Sequence, residues 1–432
     1  MKKLILLAIF FAPLLAGAAP VRHISVETTR MEPSRLKEMF LLKEGEEFSE
    51  ERYDEAKRAL QKTSMFKTLK FIETKHANGI DIHIKADDRS YVMPLLLGLS
   101  GNKHTVGVSV LGRNVLGYGE EAYLFVGGGR DGFDTHGHFH MGKNIYAAGY
   151  RHLNFKQRLY ENGWVSSPEI FSSADDKNKH NSVLLDDIHG RQDNFYVSYA
   201  YQFSSIWSVS ITPEYEYYEY KNHALDTGNH SHVTFGLHYT DKLPPGVSME
   251  QLAAMDDLNK QEMLQNLRHI RRGKMASVFY TAGGNWSGSG YNINKLGISG
   301  AYFWELHERH VLALFAKAAR AFDAPFSNQI SSSDLLFGIG IYDREQRGKG
   351  GVSAGVSFTY YLLRNHAGLL SLTPFFEQAF ITSGGNSYNP HGGVGAVLGY
   401  RFWKIPLPIA LSYTHNVNDG SHHVSCKVGG KF

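Results

Sequence analysis

HVTFGLHYT, residues 232–240, places Val233, Phe235, Leu237 and Tyr239 on one side of an extended chain. Thr234, Gly236, His238 and Thr240 fall on the other. A period of two is the signature of a β-strand. What the apolar side meets decides the fold, because the pattern recurs and few core-building helices accompany it. In NFYVSYAYQF, Phe195, Val197, Tyr199, Tyr201 and Phe203 oppose Ser198, Ala200 and Gln202. In SVSITPEYEYYEY, Val209, Ile211, Pro213, Tyr215 and Tyr217 oppose Ser210, Thr212, Glu214 and Glu216, and Val106, Val108 and Val110 oppose Gly107 and Ser109.

From Tyr91 to Phe432 about sixteen such candidates follow one another, roughly 21 residues each with its connection. That suits a spanning strand of ~9–11 residues plus a loop. A soluble sandwich also alternates, but this many strands would need several sandwich domains joined by linkers. No Pro- or Ser-rich linker follows residue 91, and the chain stops on Phe432 directly after its last strand. The reading is a sixteen-stranded transmembrane antiparallel β-barrel over 91–432, since a closed sheet leaves no unpaired backbone in lipid. Val233, Phe235, Leu237 and Tyr239 then face hydrocarbon, and Thr234, His238 and Thr240 a wet lumen.

Bulk properties alone announce no membrane protein: of 432 residues 20% are charged, and mean hydropathy is −0.30. Aromatic residues at 13% and 44 glycines favour sheets and tight turns. A net charge of +3 is too small to imply nucleic acid. MKKLILLAIFFAPLLAGAAP carries two lysines, an apolar run and small residues, which reads as a secretory signal over 1–19, cleaved near Ala18 or Ala19. No Cys follows it for a lipid anchor, and the single Cys426 excludes an internal disulfide framework. Beyond the signal no stretch supplies the ~20 apolar residues of a membrane helix.

Residues 20–90 differ in texture. VRHISVET alternates Ile24 and Val26 as a strand, and Leu36, Met39 and Phe40 sit at helical spacing. FSEERYDEAKRALQKTSMF opens on an imperfect capping pattern at Ser49 and presents Tyr53, Ala56, Leu60 and Met65. Phe71 and the alternating Ile80, Ile82 and Ile84 flank an Asn78-Gly79 hairpin turn. The order is strand, helix, helix, strand, strand. With LKEGEEFSEERYDEAKRAL, TSMFKTLKF and NGIDIHIK it resembles a polypeptide-transport-associated (POTRA) domain. The resemblance implies a periplasmic domain that binds client chains by adding them to a sheet edge. A generic small α+β domain is the plainer alternative.

A signal, one POTRA-like domain and a sixteen-stranded barrel resemble the outer-membrane assembly and translocation superfamily that includes BamA, TamA and the two-partner-secretion transporters. LGRNVLGYGEEAYLFVGGG, ERHVLALFAKAARAFDAPF, GGVSAGVSFTYYL and LTPFFEQAFI carry the likeness. The superfamily's signature is an arginine-glycine-aromatic tip on the sixth outer loop, which folds back inside and meets a carboxylate on an inner strand face. Here LFGIG stands at the tip: Phe337 replaces the arginine, Gly338 stays and Ile339 replaces the aromatic. The carboxylate matches Glu377, and Arg344 or Arg347 could substitute for the lost cation, with Arg347 and Gly348 expected to reach Glu377. Separate solvation of both charges is the alternative.

The last strand keeps Val424, Cys426, Val428 and the terminal Phe432, while Gly429 and Gly430 thin the seam with the first strand, which in this superfamily is thought to open laterally. SMEQLAAMDDLNKQEMLQNLRHIRRG, over 248–272 and ending at Gly273, reads as an additional helix after the eighth strand, on the periplasmic side. His136, His138 and His140 share a strand face, but residues two apart on a strand lie nearly 7 Å apart, a poor chelate. No Gly-x-Ser-x-Gly elbow or phosphate loop is present, so no enzyme and no cofactor are expected.

The expected role is insertion or translocation of other polypeptides. The expected partners are outer-membrane lipids and client chains or periplasmic factors, with the barrel a monomer. A passive channel, or a surface adhesin using outer loops near 161–182 and 322–350, would retain the same architecture.

Overall fold

A computed structural model describes residues 19–62, 65–88, 90–100, 105–129, 132–160, 164–166, 184–204, 206–221, 226–243, 272–307, 310–337, 339, 344–365, 367–382, 388–402, 409–418 and 420–428. The signal up to residue 18, the helix expected over 248–271, most of 161–182, and Gly338, Gly429, Gly430 and Phe432 lie outside them. The chain divides into two units. Among the described residues one comprises those up to Val92 together with Gly112–Glu121, and the other holds the rest.

The small unit runs β1 (Val21–Thr28), α1 (Pro33–Met39), α2 (Glu50–Lys62), β2 (Phe66–His76) and β3 (Gly79–Asp88). Its sheet has the order β1-β3-β2, with β1 parallel and β2 antiparallel to β3. Ser49 caps α2 by accepting the Arg52 amide at 3.2 Å. The apolar faces read from the sequence make the core: Ile24, Leu36, Phe40, Tyr53, Ala56, Leu60, Ile80, Ile82 and Ile84 are buried together. The hairpin turn is one residue earlier than its sequence suggests, at Ala77-Asn78, and Gly79 (φ +147°) opens β3. A Cβ at Gly79 would lie 2.5 Å from the Pro20 carbonyl oxygen.

The sequence boundary at residue 90 misses part of this unit. Asn114 donates to Asp88 at 2.8 Å, and the Glu32 amide donates to the Gly117 carbonyl at 3.1 Å, which builds residues 112–121 into it. Asp88 also accepts the amides of Thr29, Arg30 and Met31 at 2.8–2.9 Å. Burial works to raise the Asp88 pKa, but these four donors outweigh it and hold the carboxyl below its usual range.

The large unit is one antiparallel sheet of sixteen long strands. They are β4 (Tyr91–Ser100), β5 (Thr105–Arg113), β6 (Glu121–Gly129), β7 (Gly132–Met141), β8 (Asn144–Tyr160), β9 (Leu184–Gln202), β10 (Trp207–Tyr220) and β11 (His232–Leu243). Then come β12 (Arg272–Gly283), β13 (Ile293–His307), β14 (His310–Asp323), β15 (Gly350–Arg364), β16 (Gly368–Thr382), β17 (Tyr388–Phe402), β18 (Ile409–Asn416) and β19 (His422–Val428). Sequential strands pair, β8 pairs with β9 along their length, and β19 is the neighbour of β4.

The outward face is apolar as the alternation predicts. Phe195, Val197, Tyr199, Tyr201, Phe203, Val209, Ile211, Tyr215, Phe235 and Leu237 are all exposed. Their neighbours turn inward and pair with one another: Thr234 with Thr281 at 2.9 Å, Ser210 with His238 at 2.9 Å, and Ser198 with Thr212 at 2.8 Å. Arg272 and Gly273, read from the sequence as the end of a helix, instead open β12. They have cross-strand partners there in Leu243 and Lys242.

Candidate functional site

Between β14 and β15 the chain makes its decisive excursion, residues 324–349. Local chemistry shapes it. A single helical turn, 326–328, follows Pro325, and Ile330-Ser331 then pairs antiparallel with Arg347-Gly348. Ser331 caps α3 (Ser332–Leu335): its hydroxyl accepts the Asp334 amide at 3.1 Å while the Asp334 carboxylate accepts the Ser331 amide at 3.3 Å. Residues 344–346 add to the short strand Trp164–Ser166.

This loop lies against the wall of the sheet. Ile330, Leu335 and Leu336 pack with Ala321, Ala379 and Ile381 in one buried cluster. Gly348 comes so close that a Cβ there would stand 2.1 Å from the Thr382 carbonyl oxygen. Ser353 on β15 donates its hydroxyl to the Leu335 carbonyl at 2.7 Å.

At the tip the Phe337 amide donates to Glu377 Oε2 at 2.9 Å, and the Glu377 side chain is fully buried. The Phe337 ring meets Phe315 at 4.8 Å. Lys317 on β14 donates to the carbonyls of Asp334 (3.0 Å) and Leu336 (2.8 Å), its ammonium 4.9 Å over the Phe337 ring and within electrostatic reach of Glu377.

The sequence reading assigned the tip cation to Arg347. The described contacts of Arg347 are instead at the loop's base, with the carbonyls of Phe326 (3.3 Å) and Ser327 and the Phe326 ring at 5.6 Å. Arg347 follows the strand pairing that sets Gly348 against Thr382, and Glu377 lies five residues farther down β16, some 17 Å along the strand. Among the described contacts the cation beside the tip is Lys317, sixty residues before the carboxylate. Arg344 pairs through its backbone with Ser166.

The base carries a second polar set. Asn328 donates to Glu216 at 2.7 Å, Asp226 accepts the Phe326 amide, and the fully buried His230 contacts Asn328 and Ser327. Between loop and wall remains a cavity of about 300 Å³ lined by Glu214, His232, Lys295, Lys317 and Asp334 among others.

At the seam, Val424 is 70% exposed and Cys426 is exposed, on the outward face expected of them. Val428 pairs through its backbone with Ile409. His136 sits 3.3 Å from Asp134 and against the Phe125 ring, His138 stacks on Tyr123, and His140 contacts the Gly142 carbonyl at 3.0 Å. Among the described residues no group of three His, Cys, Asp or Glu side chains is placed to hold a metal ion. Neither Lys317 nor the set of Glu216, His230 and Asn328 was singled out from the sequence. An inward lysine four residues before β14's Ala321 was the only available sign of the first.

No protein-family model matches the chain, and no curated protein does. Solved structures do. CdiB from Escherichia coli superposes with a TM-score of 0.62 at 11% identity over 95% of this chain and 75% of that one. CdiB from Acinetobacter baumannii gives 0.56 at 11% identity, over 95% and 74%. BamA from Haemophilus ducreyi lacking POTRA domains 1–3 gives 0.51 at 12% identity, over 95% and 84%. The chain shares their fold.

Proposed function

We propose that this chain is an integral outer-membrane protein that inserts or translocates other polypeptides, with its small domain in the periplasm. The observation that carries the reading is the loop 324–349 packed on the inner wall with Glu377 buried at its tip, in a sheet whose first and last strands are neighbours. A sheet with an apolar outer face suits a bilayer because its backbone is satisfied internally. Similarity of fold to CdiB and BamA supports this reading.

No bond is made or broken in this scheme. A client segment adds to an edge of the small sheet, where β1 and β2 flank β3, and its strands then template on the β4–β19 seam by backbone hydrogen bonding. Burial of the client's apolar face in lipid supplies the driving force.

Depletion in the native cell tests the proposal. Loss of several barrel proteins from the outer membrane, or retention of a secreted chain in the periplasm, is expected. Unchanged levels of both, with lost uptake of one solute, would instead establish a passive channel. That second reading draws on one feature, Phe337 where the superfamily has its arginine.

A further inference from the structure

We propose that the connection between β5 and β6 is a lipid anchor, with Val115, Leu116 and Tyr118 inserted at the headgroup–acyl boundary of the periplasmic leaflet. The inference rests on the outer-membrane reading above. A short connection ordinarily turns its polar side chains to water and its apolar ones inward. Here the arrangement is reversed. Val115, Leu116 and Tyr118 are all exposed, Leu116 at 65%, whereas Asn114 and Glu120 are buried at 0% and 2%.

The buried pair builds a rigid frame. The Glu120 carboxylate accepts the amides of Leu116 at 2.7 Å and Tyr118 at 3.1 Å. Asn114 Oδ1 accepts the Gly119 amide at 3.0 Å, and its Nδ2 donates to Asp88 at 2.8 Å. The Gly117 carbonyl accepts the Glu32 amide at 3.1 Å. A Cβ at Gly119, where φ is +66°, would stand 2.9 Å from the Met31 methyl. The backbone is thus satisfied and fixed, so the three apolar side chains are presented with little ordering left to lose on contact.

Chain order identifies what they meet. β4 leaves the small domain and β5 returns, so this connection lies on that domain's side of the bilayer. Val108 and Val110 of β5 and Leu124 and Val126 of β6 are exposed on the outward, lipid-facing side. The five residues from Val110 to Val115 reach at most about 18 Å, which keeps the connection at the periplasmic edge of that apolar face. The three side chains expose on the order of 300 Å², short of the ~800 Å² a side of a stable protein interface. A fluid leaflet sets no such minimum, and a tyrosine suits its boundary, ring in the acyl region and hydroxyl among headgroups.

Nitroxide accessibility in the full-length protein tests the anchor. In a Cys426→Ser background, Leu116→Cys or Leu237→Cys carries the label, in vesicles of phosphatidylethanolamine and phosphatidylglycerol with a nickel chelate on both sides. The ratio of collisions with oxygen to collisions with chelate reads depth, and position 237 reports separately whether the sheet spans the bilayer. At 116 the ratio is expected to be several-fold above that of the label in buffer and below that at 237. A water-like ratio at 116 with a lipid-like ratio at 237 overturns the anchor and leaves the membrane reading standing. Water-like ratios at both positions overturn both. Weak collision with oxygen and chelate alike at 116 marks a protein contact there, and also overturns the anchor.

Discussion

Glu377→Ala is the sharpest perturbation of the docked loop. The carboxylate is fully buried and accepts the Phe337 amide at 2.9 Å beside Lys317. Its removal strands a buried N–H and takes one of the two anions, Asp334 and Glu377, that act on a lysine whose ammonium serves two carbonyls. A hydrogen bond to a charged group contributes about 1.5–3 kcal/mol, and loss of one partner from a buried charged set costs about 3–5 kcal/mol. The one described hydrogen bond sets the scale, about 2–3 kcal/mol against the docked state. At 1.4 kcal/mol per decade this raises the undocked fraction by about 30- to 140-fold.

A thiol under the loop reads that fraction. Ala379 is fully buried beneath Leu335 and Leu336, so Ala379→Cys in a Cys426→Ser background offers a thiol that maleimide reaches only on undocking. Labelling is expected to accelerate by the same factor in Glu377→Ala, and by several-fold less in Glu377→Gln, which retains an acceptor. Acceleration of less than about twofold in Glu377→Ala would refute the assignment of Glu377 as the tip anchor.

Three other outcomes follow from the same geometry. Charge reversal at Arg347 and Glu377 is expected to be additive, since their described partners lie at opposite ends of the loop; rescue in the Arg347→Glu, Glu377→Arg double variant by the same labelling assay would show direct pairing. Gly348→Ala brings a methyl to 2.1 Å from the Thr382 carbonyl and should weaken docking by about 1–3 kcal/mol, read as faster labelling at position 379. Asp88, with its pKa depressed in the folded state, contributes stability that is present above its unfolded pKa and lost as pH falls through the folded one. Near-neutral pH should therefore favour the small domain and acid should loosen it. Asp88→Asn flattens this acid limb in tryptophan-independent circular dichroism melts, whereas an unchanged limb would exclude Asp88 as its source.

Much of this was legible in the sequence because strand faces obey a two-residue period that needs no tertiary knowledge. Phe235 and Leu237 point outward and Thr234 inward for that reason alone. The core of the small domain was legible likewise, since Leu36 and Phe40, or Tyr53, Ala56 and Leu60, recur at helical spacing. What failed to show was pairing across long separations. Lys317 reads from its strand only as an inward residue; that it meets a loop tip depends on where 324–349 returns. Arg347 with Gly348 offers an arginine-glycine pair after the tip, but the hairpin of 330–331 with 347–348 carries it back to the base. The capture of residues 112–121 by the small domain left a fainter sign, Asn114, Gly117 and Gly119 in close succession, which the structure sets at φ +48°, +84° and +66°. Such a run marks a fixed turn without naming its partner.

The loop is thus held at two stations of different chemistry. The tip rests on an apolar cluster with one buried carboxylate and one lysine, and the base on a histidine, an amide, a carboxylate and an arginine. Apolar burial is non-directional and strengthened by excluded salts, whereas the polar base rests on hydrogen bonds between buried groups whose geometry must be kept. Opening that begins at the base leaves the tip docked; opening that begins at the tip must also strain the 330–331 hairpin, whose second strand is the one that carries Arg347. The two stations are therefore coupled through that hairpin. A double-mutant cycle between Glu377→Ala and His230→Gln, read by thiol labelling at position 379, should give an interaction energy of about 0.5 kcal/mol or more. Strict additivity would mean that the hairpin transmits nothing, and that tip and base are two separate locks on one plug.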